Sequence, residues 1–273
     1  MSDNFKLAVS NIAWDSSLDG QVSDILTKAR ISRVEIALTR YHDDLFNVSE
    51  SQIIEIKNRW KNLGIEISSL QSLFFNQPHL NLFGNAESRL SMKSLLLRLS
   101  TLASILGAEA LVFGAPKNRL RGSLDLSSAY DLADSFFKEV DSAWSSDDNF
   151  IALEANPELY GCDFITKSSE ALNFVNRLKL RSLKWHLDSA CTELSGESAI
   201  ELLSIPNPLP SHIHLSEENL GPLLNSKFEY YKELFEILKL REYTGFVVLE
   251  MRETENLQDL SNSVNILKKA SRL

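Results

Sequence analysis

Short hydrophobic runs alternate with longer amphipathic segments along the whole chain. The runs are typical of buried strands, because parallel strands covered on both faces are apolar throughout. They lie at 7–13, 34–37, 65–70, 110–113, 150–153, 183–187, 212–215 and 246–249. The intervening segments predict helices at 20–29, 51–62, 87–106, 127–144, 168–178, 197–203, 228–238 and 257–270.

Eight strand–helix units in 273 residues predict an α/β fold, the closed (β/α)₈ TIM barrel. No linker, low-complexity block or change of composition marks a boundary, so residues 1–273 are expected to form a single barrel domain. The proline-rich segment 205–210 is interpreted as a rigid loop. A doubly wound open sheet is the alternative fold, but the sequence lacks the GxGxxG fingerprint that would favour it.

The acidic composition narrows the classes of partner. The net charge is -9, with 37 acidic against 28 basic residues, which disfavours binding to nucleic acid or an anionic membrane. Two cysteines, Cys162 and Cys191, are too few for a disulfide framework and indicate reduced thiols in a cytoplasmic protein. The first six residues lack the pattern of a signal peptide, and no segment has the roughly 20 apolar residues of a membrane span.

Each of the last four predicted strands ends at, or next to, a side chain that can bind a metal. These side chains are Glu154, Asp188, His214 and Glu250. The carboxyl ends of barrel strands form the active-site face, so the four are expected to meet there. A buried acid is costly unless it is paired or coordinates a metal. The set suits Mn²⁺, Co²⁺ or Mg²⁺ and also admits Zn²⁺, although a structural zinc site would more often use cysteine.

Polar residues near other strand ends are candidates for contacts with a substrate. Lys117 and Arg119, in the loop after the fourth strand, carry the charge needed to bind a phosphate or carboxylate. Glu35 is placed to bind a hydroxyl or to orient a neighbour. The full set of candidates is Lys117, Arg119, Glu35, Gln71, Asn156, Glu217 and Arg252. Two further histidines, His186 and His212, each lie two residues before a candidate ligand and are expected to belong to the core.

The motifs around the candidate ligands resemble those of the xylose isomerase-like TIM barrels, the sugar phosphate isomerase/epimerase superfamily, over essentially the whole chain. They are Leu-Glu-Ala-Asn-Pro at 153–157, Leu-Asp at 187–188, His-Ile-His-Leu-Ser-Glu at 212–217 and Val-Leu-Glu at 248–250. Successive candidate ligands are 34, 26 and 36 positions apart, similar to the ketose 3-epimerases of that superfamily. The segment Phe-Gly-Ala-Pro-Lys-Asn-Arg at 113–119 resembles a signature of another branch.

The resemblance implies a metal-dependent isomerase or epimerase of a sugar or sugar-like carbonyl compound. In the ketose 3-epimerases the four matching side chains bind one divalent metal. The two glutamates also exchange protons with the substrate through an enediolate, a catalytic role that would fall here to Glu154 and Glu250. The resemblance further implies a small-molecule substrate and admits a homodimer.

Two positions depart from the epimerase pattern. Cys191 stands where that pattern has a histidine, and Leu220 stands where it has an arginine, and both positions contact the sugar in the epimerases. Another polyol, a keto acid or a modified sugar is therefore an equal candidate for the substrate.

Other functions also stay open. They are a lyase or dehydratase using the same metal site, an endonuclease for abasic DNA, and a non-catalytic binding or accessory barrel. The endonuclease would require additional histidine ligands where this chain has Gln71 and Phe113.

Overall fold

A computed structural model describes residues 5–272. Residues 1–4, part of the segment on which the expectation of no signal peptide rests, and residue 273 lie outside the described residues. The strands are β1 (Lys6–Ser10), β2 (Arg33–Ala37), β3 (Glu66–Gln71), β4 (Ala110–Phe113), β5 (Phe150–Leu153), β6 (Leu183–Asp188), β7 (His212–Leu215) and β8 (Phe246–Leu249). They are parallel and close in chain order, with β1 paired to both β2 and β8, which confirms the predicted (β/α)₈ TIM barrel.

Helices cover the outside of the barrel. They are α1 (Asp19–Lys28), α2 (Glu50–Asn62), α3 (Ala86–Leu106), α4 (Leu126–Ala143), α5 (Ser168–Leu178), α6 (Ser189–Leu194), α7 (Ala199–Ser204), α8 (Phe228–Leu240) and α9 (Leu257–Ala270). Residues 11–13, predicted as strand, form a 3₁₀ turn. Helix α6 was not predicted, because six residues are too few to show a helical period. None of the described helices has the length and apolar content needed to cross a membrane.

The register of the strands sets the positions of the candidate ligands. Asp188 pairs with His214 across β6 and β7, and Leu215 pairs with Leu249 across β7 and β8. The ladder continues past the strand ends, because the N–H of Glu154 donates to the carbonyl of Phe113 at 3.1 Å and that of Glu250 donates to the carbonyl of Leu215 at 3.0 Å. Four consecutive strands therefore present their terminal side chains at one edge of the barrel.

Side chains alternate between the two faces of each strand. On β6, Trp185 and Leu187 pack into the main apolar core between barrel and helices, whereas His186 and Asp188 face the barrel interior. The interior is apolar only in part, in two small buried clusters formed by Ala8, Phe246, Val248 and by Ala110, Val112, Ala152. Elsewhere it holds the buried polar side chains of Glu35, Ser69, Gln71, His186 and His212. Buried polar groups of this kind must satisfy one another.

Candidate metal centre

The four predicted ligands lie together at the carboxyl ends of β5 to β8. Glu154, Asp188 and His214 each offer one ligand atom, and these atoms lie within 4.8 Å of one another. Nδ1 of His214 lies 3.3 Å from Oε2 of Glu250 and 4.0 Å from Oδ2 of Asp188. No more than 8% of any of the four residues is exposed. Three of the four proposed ligands, Glu154, Asp188 and His214, therefore lie close enough to share one ion, and Glu250 lies beside His214.

Asp188 is fixed from two sides. It is the last residue of β6 and the N-cap of α6, and its Oδ1 accepts a hydrogen bond from the N–H of Cys191 at 2.6 Å. Its Oδ2 accepts from the hydroxyl of Ser216 at 2.7 Å. A carboxylate oxygen has two lone pairs, so each oxygen keeps one that can bind an ion.

His214 presents a buried nitrogen that lacks a hydrogen-bond partner. Neither of its ring nitrogens has an aligned hydrogen bond within residues 5–272, although Nε2 lies 2.9 Å from Oε1 of Glu35. Leaving such an atom unpaired is costly. A cation between Nδ1 and the surrounding carboxylates would satisfy it, and the oxygen and nitrogen donors present are those that divalent ions bind. The residues therefore fit a divalent ion held by Glu154, Asp188, His214 and Glu250.

Burial and mutual repulsion raise the pKa values of the candidate ligands. Burial, followed by the charges of Asp188 and Glu250, raises the pKa of Glu154 to about 8. Burial and Glu250 also raise the pKa of Asp188. Burial lowers the pKa of His214, but Glu250 and Glu35 outweigh it and hold that pKa well above its ordinary value. Without a cation the site therefore retains protons, which a divalent ion would displace.

The carboxyl group of Glu154 is enclosed by the loop after β4 and by α6. A Cβ atom on Gly114 would lie 2.1 Å from its Oε2, so the space is open only because residue 114 is a glycine. Sγ of Cys191 lies 3.8 Å from Oε1 of Glu154 and 3.8 Å from Nδ2 of Asn156. Burial, Asp188 and Glu154 raise the pKa of the Cys191 thiol well above its ordinary value, which disfavours the thiolate needed for a nucleophile.

Arg119 has a different role from the anion contact expected from the sequence. It is 1% exposed, and its Nη1 donates to the backbone carbonyl of Glu154 at 2.6 Å. Its Nη2 donates to Oδ1 of Asn156 at 2.8 Å. The guanidinium thus holds the segment that carries Glu154. Lys117, in contrast, is exposed and pairs with none of the described residues, so its contact with a substrate stays a prediction.

Glu35 and Gln71 lie inside the barrel, beneath the candidate ligands. Besides His214, Glu35 contacts Nε2 of His212 at 3.2 Å, and it accepts hydrogen bonds from the Ser69 hydroxyl at 2.7 Å and the Gln71 amide at 3.1 Å. Burial raises the pKa of Glu35, but His214 and His212 outweigh it and hold that pKa well below its ordinary value. Of the two roles anticipated for Glu35, its position favours orienting a neighbour.

Glu217 and Arg252 occupy opposite environments. Glu217 is buried, and its carboxylate accepts hydrogen bonds from the Tyr231 hydroxyl and from Nζ of Lys227, the latter at 2.7 Å. The side chain of Arg252 is exposed, while its N–H donates to the carbonyl of Leu220 at 2.8 Å. The carboxylate of Glu217 therefore binds residues at the start of α8, and Arg252 remains a candidate for contact with a substrate at the rim of the barrel.

Three residues around the site were given no role from the sequence. Ser216 orients Asp188, Gly114 makes room for Glu154, and the Tyr160 hydroxyl accepts a hydrogen bond from the N–H of Asn219 at 3.1 Å. A serine or glycine directly after a strand was the available signal for the first two. Nothing in the sequence singles out Tyr160.

No family model matches the chain, and no curated protein matches it in sequence. Solved structures do match. D-psicose 3-epimerase from Clostridium cellulolyticum H10, with D-tagatose, has a TM-score of 0.75 and 17% identity over 97% of this chain and 96% of that chain. The 3-keto-D-glucoside 4-epimerase from E. coli has a TM-score of 0.74 and 16% identity, covering 97% and 99%.

The similarity extends beyond the epimerases. A family 2 AP endonuclease from Brucella melitensis has a TM-score of 0.71 and 13% identity, covering 94% of this chain and 96% of that chain. A fusion protein that contains a xylose isomerase-like TIM barrel also matches. At such low identities a structural match reports the fold. This chain therefore has the fold of the xylose isomerase-like TIM barrels.

Proposed function

We propose that this protein is a divalent-metal-dependent isomerase or epimerase of a sugar or sugar-like carbonyl compound, acting by proton transfer through an enediolate. One observation carries the proposal: Glu154, Asp188 and His214 offer ligand atoms within 4.8 Å of one another at the active-site end of the barrel, and Oε2 of Glu250 lies 3.3 Å from Nδ1 of His214. The matched epimerases of D-psicose and of a 3-keto-D-glucoside support this reaction class.

Glu154, Asp188, His214 and Glu250 would hold the ion, with Mn²⁺, Co²⁺ or Mg²⁺ preferred and Zn²⁺ tolerated. A bound divalent ion would supply Lewis-acid polarisation of the substrate carbonyl. Asp188, whose orientation Ser216 and the start of α6 fix, acts as a ligand that does not rearrange. The burial of the four proposed ligands would keep water from competing with a bound substrate.

Glu154 and Glu250 are the proposed proton carriers. Two carboxyl groups facing one substrate can remove a proton from the carbon beside the carbonyl and return one to the other side. Arg119 would keep the backbone of Glu154 in place.

The substrate is proposed to be a small molecule, with no role for nucleic acid. Although an AP endonuclease shares the fold, this chain has Gln71 and Phe113 where an endonuclease for abasic DNA would require further histidine ligands. Gln71 donates to Glu35 and to Ser10, and Phe113 is buried, so neither offers a ligand. A lyase that uses the same ligands is the alternative, because loss of a neighbouring group can follow the same proton abstraction.

The test combines metal binding with isotope exchange. The purified protein should bind one equivalent of Mn²⁺, and a panel of free ketoses, 3-keto-glycosides and keto acids in D₂O should include one that gains deuterium beside its carbonyl. Glu154→Gln and Glu250→Gln should each slow that exchange by about 10²- to 10⁴-fold, the usual contribution of a general acid or base. Glu158→Gln, an exposed glutamate in the same loop as Glu154, is the matched control and should exchange normally.

Three results would contradict parts of the proposal. Absence of Mn²⁺ binding would remove the metal site. Exchange at the unaltered rate in either active-site variant would remove that residue from catalysis. Release of a smaller product or of water, without formation of a stereoisomer, would replace the epimerase by the lyase.

A further inference from the structure

The barrel interior beneath the candidate metal centre is filled by a group of buried polar side chains, here termed the interior polar layer. It consists of Glu35, Ser69, Gln71, His186 and His212. In TIM barrels this space is usually packed with branched apolar residues. Since a buried polar group must be paired, the layer requires an arrangement in which each member meets a partner.

Glu35 is the centre of the layer. Its Oε1 lies 2.9 Å from Nε2 of His214, and its Oε2 lies 3.2 Å from Nε2 of His212. The hydroxyl of Ser69 donates to Oε2 at 2.7 Å, and the amide of Gln71 donates to Oε1 at 3.1 Å. Four donor-capable groups around one carboxyl group define an acceptor in its ionised form.

An irregularity in the sheet sets which residues of β3 meet Glu35. Val34 pairs with Ile67 across β2 and β3, but the next residue, Glu35, pairs with Ser69, so β3 contains one extra residue at this point. Such a bulge re-aims a side chain. The extra residue, Ser68, donates its hydroxyl to the carbonyl of Val34 at 3.1 Å, which holds the distortion.

The contacts assign the protons of the three histidines. A carboxylate only accepts, so Nε2 of His214, which lies 2.9 Å from Oε1 of Glu35 although the bond is not aligned, must carry hydrogen, and the same holds for Nε2 of His212. Nδ1 of His212 then has only a lone pair, and it accepts from Nδ1–H of His186 at 3.2 Å. Nδ1 of His214 faces Asp188 and Glu250, so it is the nitrogen that would give up its hydrogen to a bound ion, while Nε2 keeps its hydrogen toward Glu35.

We propose that Glu35 is a positioning residue, which fixes the ring of His214 so that Nδ1 and not Nε2 binds the metal. The inference rests on the proposed function, because it requires an ion at the Nδ1 side of His214. Carboxylates behind a metal-binding histidine orient the ring and raise its basicity, and their loss typically weakens metal binding by about 10- to 100-fold. Glu35 would act in this way without touching either the ion or the substrate.

A second metal ion, bound among the histidines, is the main competing explanation for the interior polar layer. His186, His212 and His214 each offer a nitrogen within 4.8 Å of the others, so a second ion could in principle bind among them. The proton assignment leaves only Nε2 of His186 without a partner in the layer. The structure therefore favours hydrogen bonds over a second metal, and the number of bound ions decides between them.

The first experiment measures Mn²⁺ affinity by titration calorimetry. Glu35→Gln, which keeps the shape but removes the charge, should bind Mn²⁺ about 10- to 100-fold more weakly. Glu35→Asp keeps the charge and should be intermediate. Asp19→Asn is the matched control, since Asp19 is also a buried carboxylate but pairs with Trp14 and Tyr41, and it should lose stability while keeping its Mn²⁺ affinity.

The second experiment needs no variant and so survives any failure of Glu35→Gln to fold. Two-bond ¹H–¹⁵N spectra of the Zn²⁺-loaded protein should show hydrogen on Nε2 of His214 and His212 and on Nδ1 of His186, with one ion per chain. Hydrogen on Nδ1 of His214, a second bound ion, or unchanged affinity in Glu35→Gln would overturn the inference. If the unaltered protein binds no ion, the proposed function fails, and that outcome is distinct from all three.

Discussion

Replacing Gly114 by alanine is the smallest change that should disturb the candidate centre. Gly114 directly follows β4 and lies beneath the carboxyl group of Glu154. A Cβ atom there would lie 2.1 Å from Oε2 and 3.2 Å from Cδ of Glu154, and 3.5 Å from Oδ1 of Asn156. The clash is therefore concentrated on one carboxylate oxygen.

The expected size of the effect follows from these distances. To reach even 3.0 Å from the new methyl group, Oε2 must move by about 0.9 Å. The moving atom is the end of a side chain, so the cost in stability is that of an off-rotamer side chain, about 0.5–1.5 kcal/mol. A displacement of about 1 Å at a reacting group can cost roughly 10²-fold in rate. Gly114→Ala should therefore remain folded, bind Mn²⁺ more weakly and lose most of its activity.

Calorimetric titration with Mn²⁺ and thermal unfolding of the metal-free protein test this expectation together. Gly20→Ala is the matched control, because a Cβ atom at Gly20 in α1 would meet no atom within 4 Å beyond its chain neighbours and its own helix backbone. It should leave Mn²⁺ affinity unchanged. If Gly114→Ala binds Mn²⁺ as tightly as the unaltered protein, Glu154 is not a ligand in the position described. A large loss of stability would show that the backbone, and not the carboxylate, moves.

Three further predictions concern pH, the loop after β4 and the thiols. The pKa of Glu154 is raised to about 8 in the folded, metal-free protein, so its carboxyl group keeps a proton there that it loses in the unfolded chain. The free energy of unfolding should therefore fall by about 2 kcal/mol from pH 6.5 to 8. Urea titrations in EDTA measure this, and stability that rises over that range contradicts it. Arg119→Ala should lower the free energy of unfolding by about 3 kcal/mol, because two charge-assisted hydrogen bonds are lost. Lys117→Ala should leave it unchanged. Equal free energies of unfolding for the two variants in denaturant titrations would refute the structural role of Arg119. Cys162 and Cys191 are both buried, so Ellman's reagent should react with them slowly in the native protein and rapidly after unfolding; fast native labelling would contradict the burial.

The sequence was sufficient to place the candidate ligands because their position depends on a repeating local pattern. An apolar run marks a strand, and the geometry of a closed barrel brings the ends of neighbouring strands together. This information is enough to predict that the side chains at the ends of the last four strands lie near one another. They are Glu154, Asp188, His214 and Glu250. The element that escaped prediction, α6, has six residues and is started by a side chain that also ends a strand.

The roles of Arg119 and Glu35 could not be obtained in this way. Both are charged residues close to strand ends, and the sequence does not indicate which of them meets solvent. Arg119 is buried because the carbonyl of Glu154 and the amide of Asn156 come from the next loop and accept its hydrogen bonds. Glu35 is buried because it faces the barrel interior, where His212 and His214, which are far away in the chain, lie beside its carboxylate.

Asp188 is the last residue of β6 and the N-cap of α6, so no loop separates the two elements, and its side chain faces the candidate metal centre. Its side chain is therefore held by a strand and a helix at the same time. For the same reason, substitutions at this position are difficult to interpret. Asp188→Ala would delete a helix cap together with a ligand, and a folding defect could pass for a failure to bind metal. Asp188→Asn retains an oxygen for the N–H of Cys191 while removing the charge, and so separates architecture from coordination.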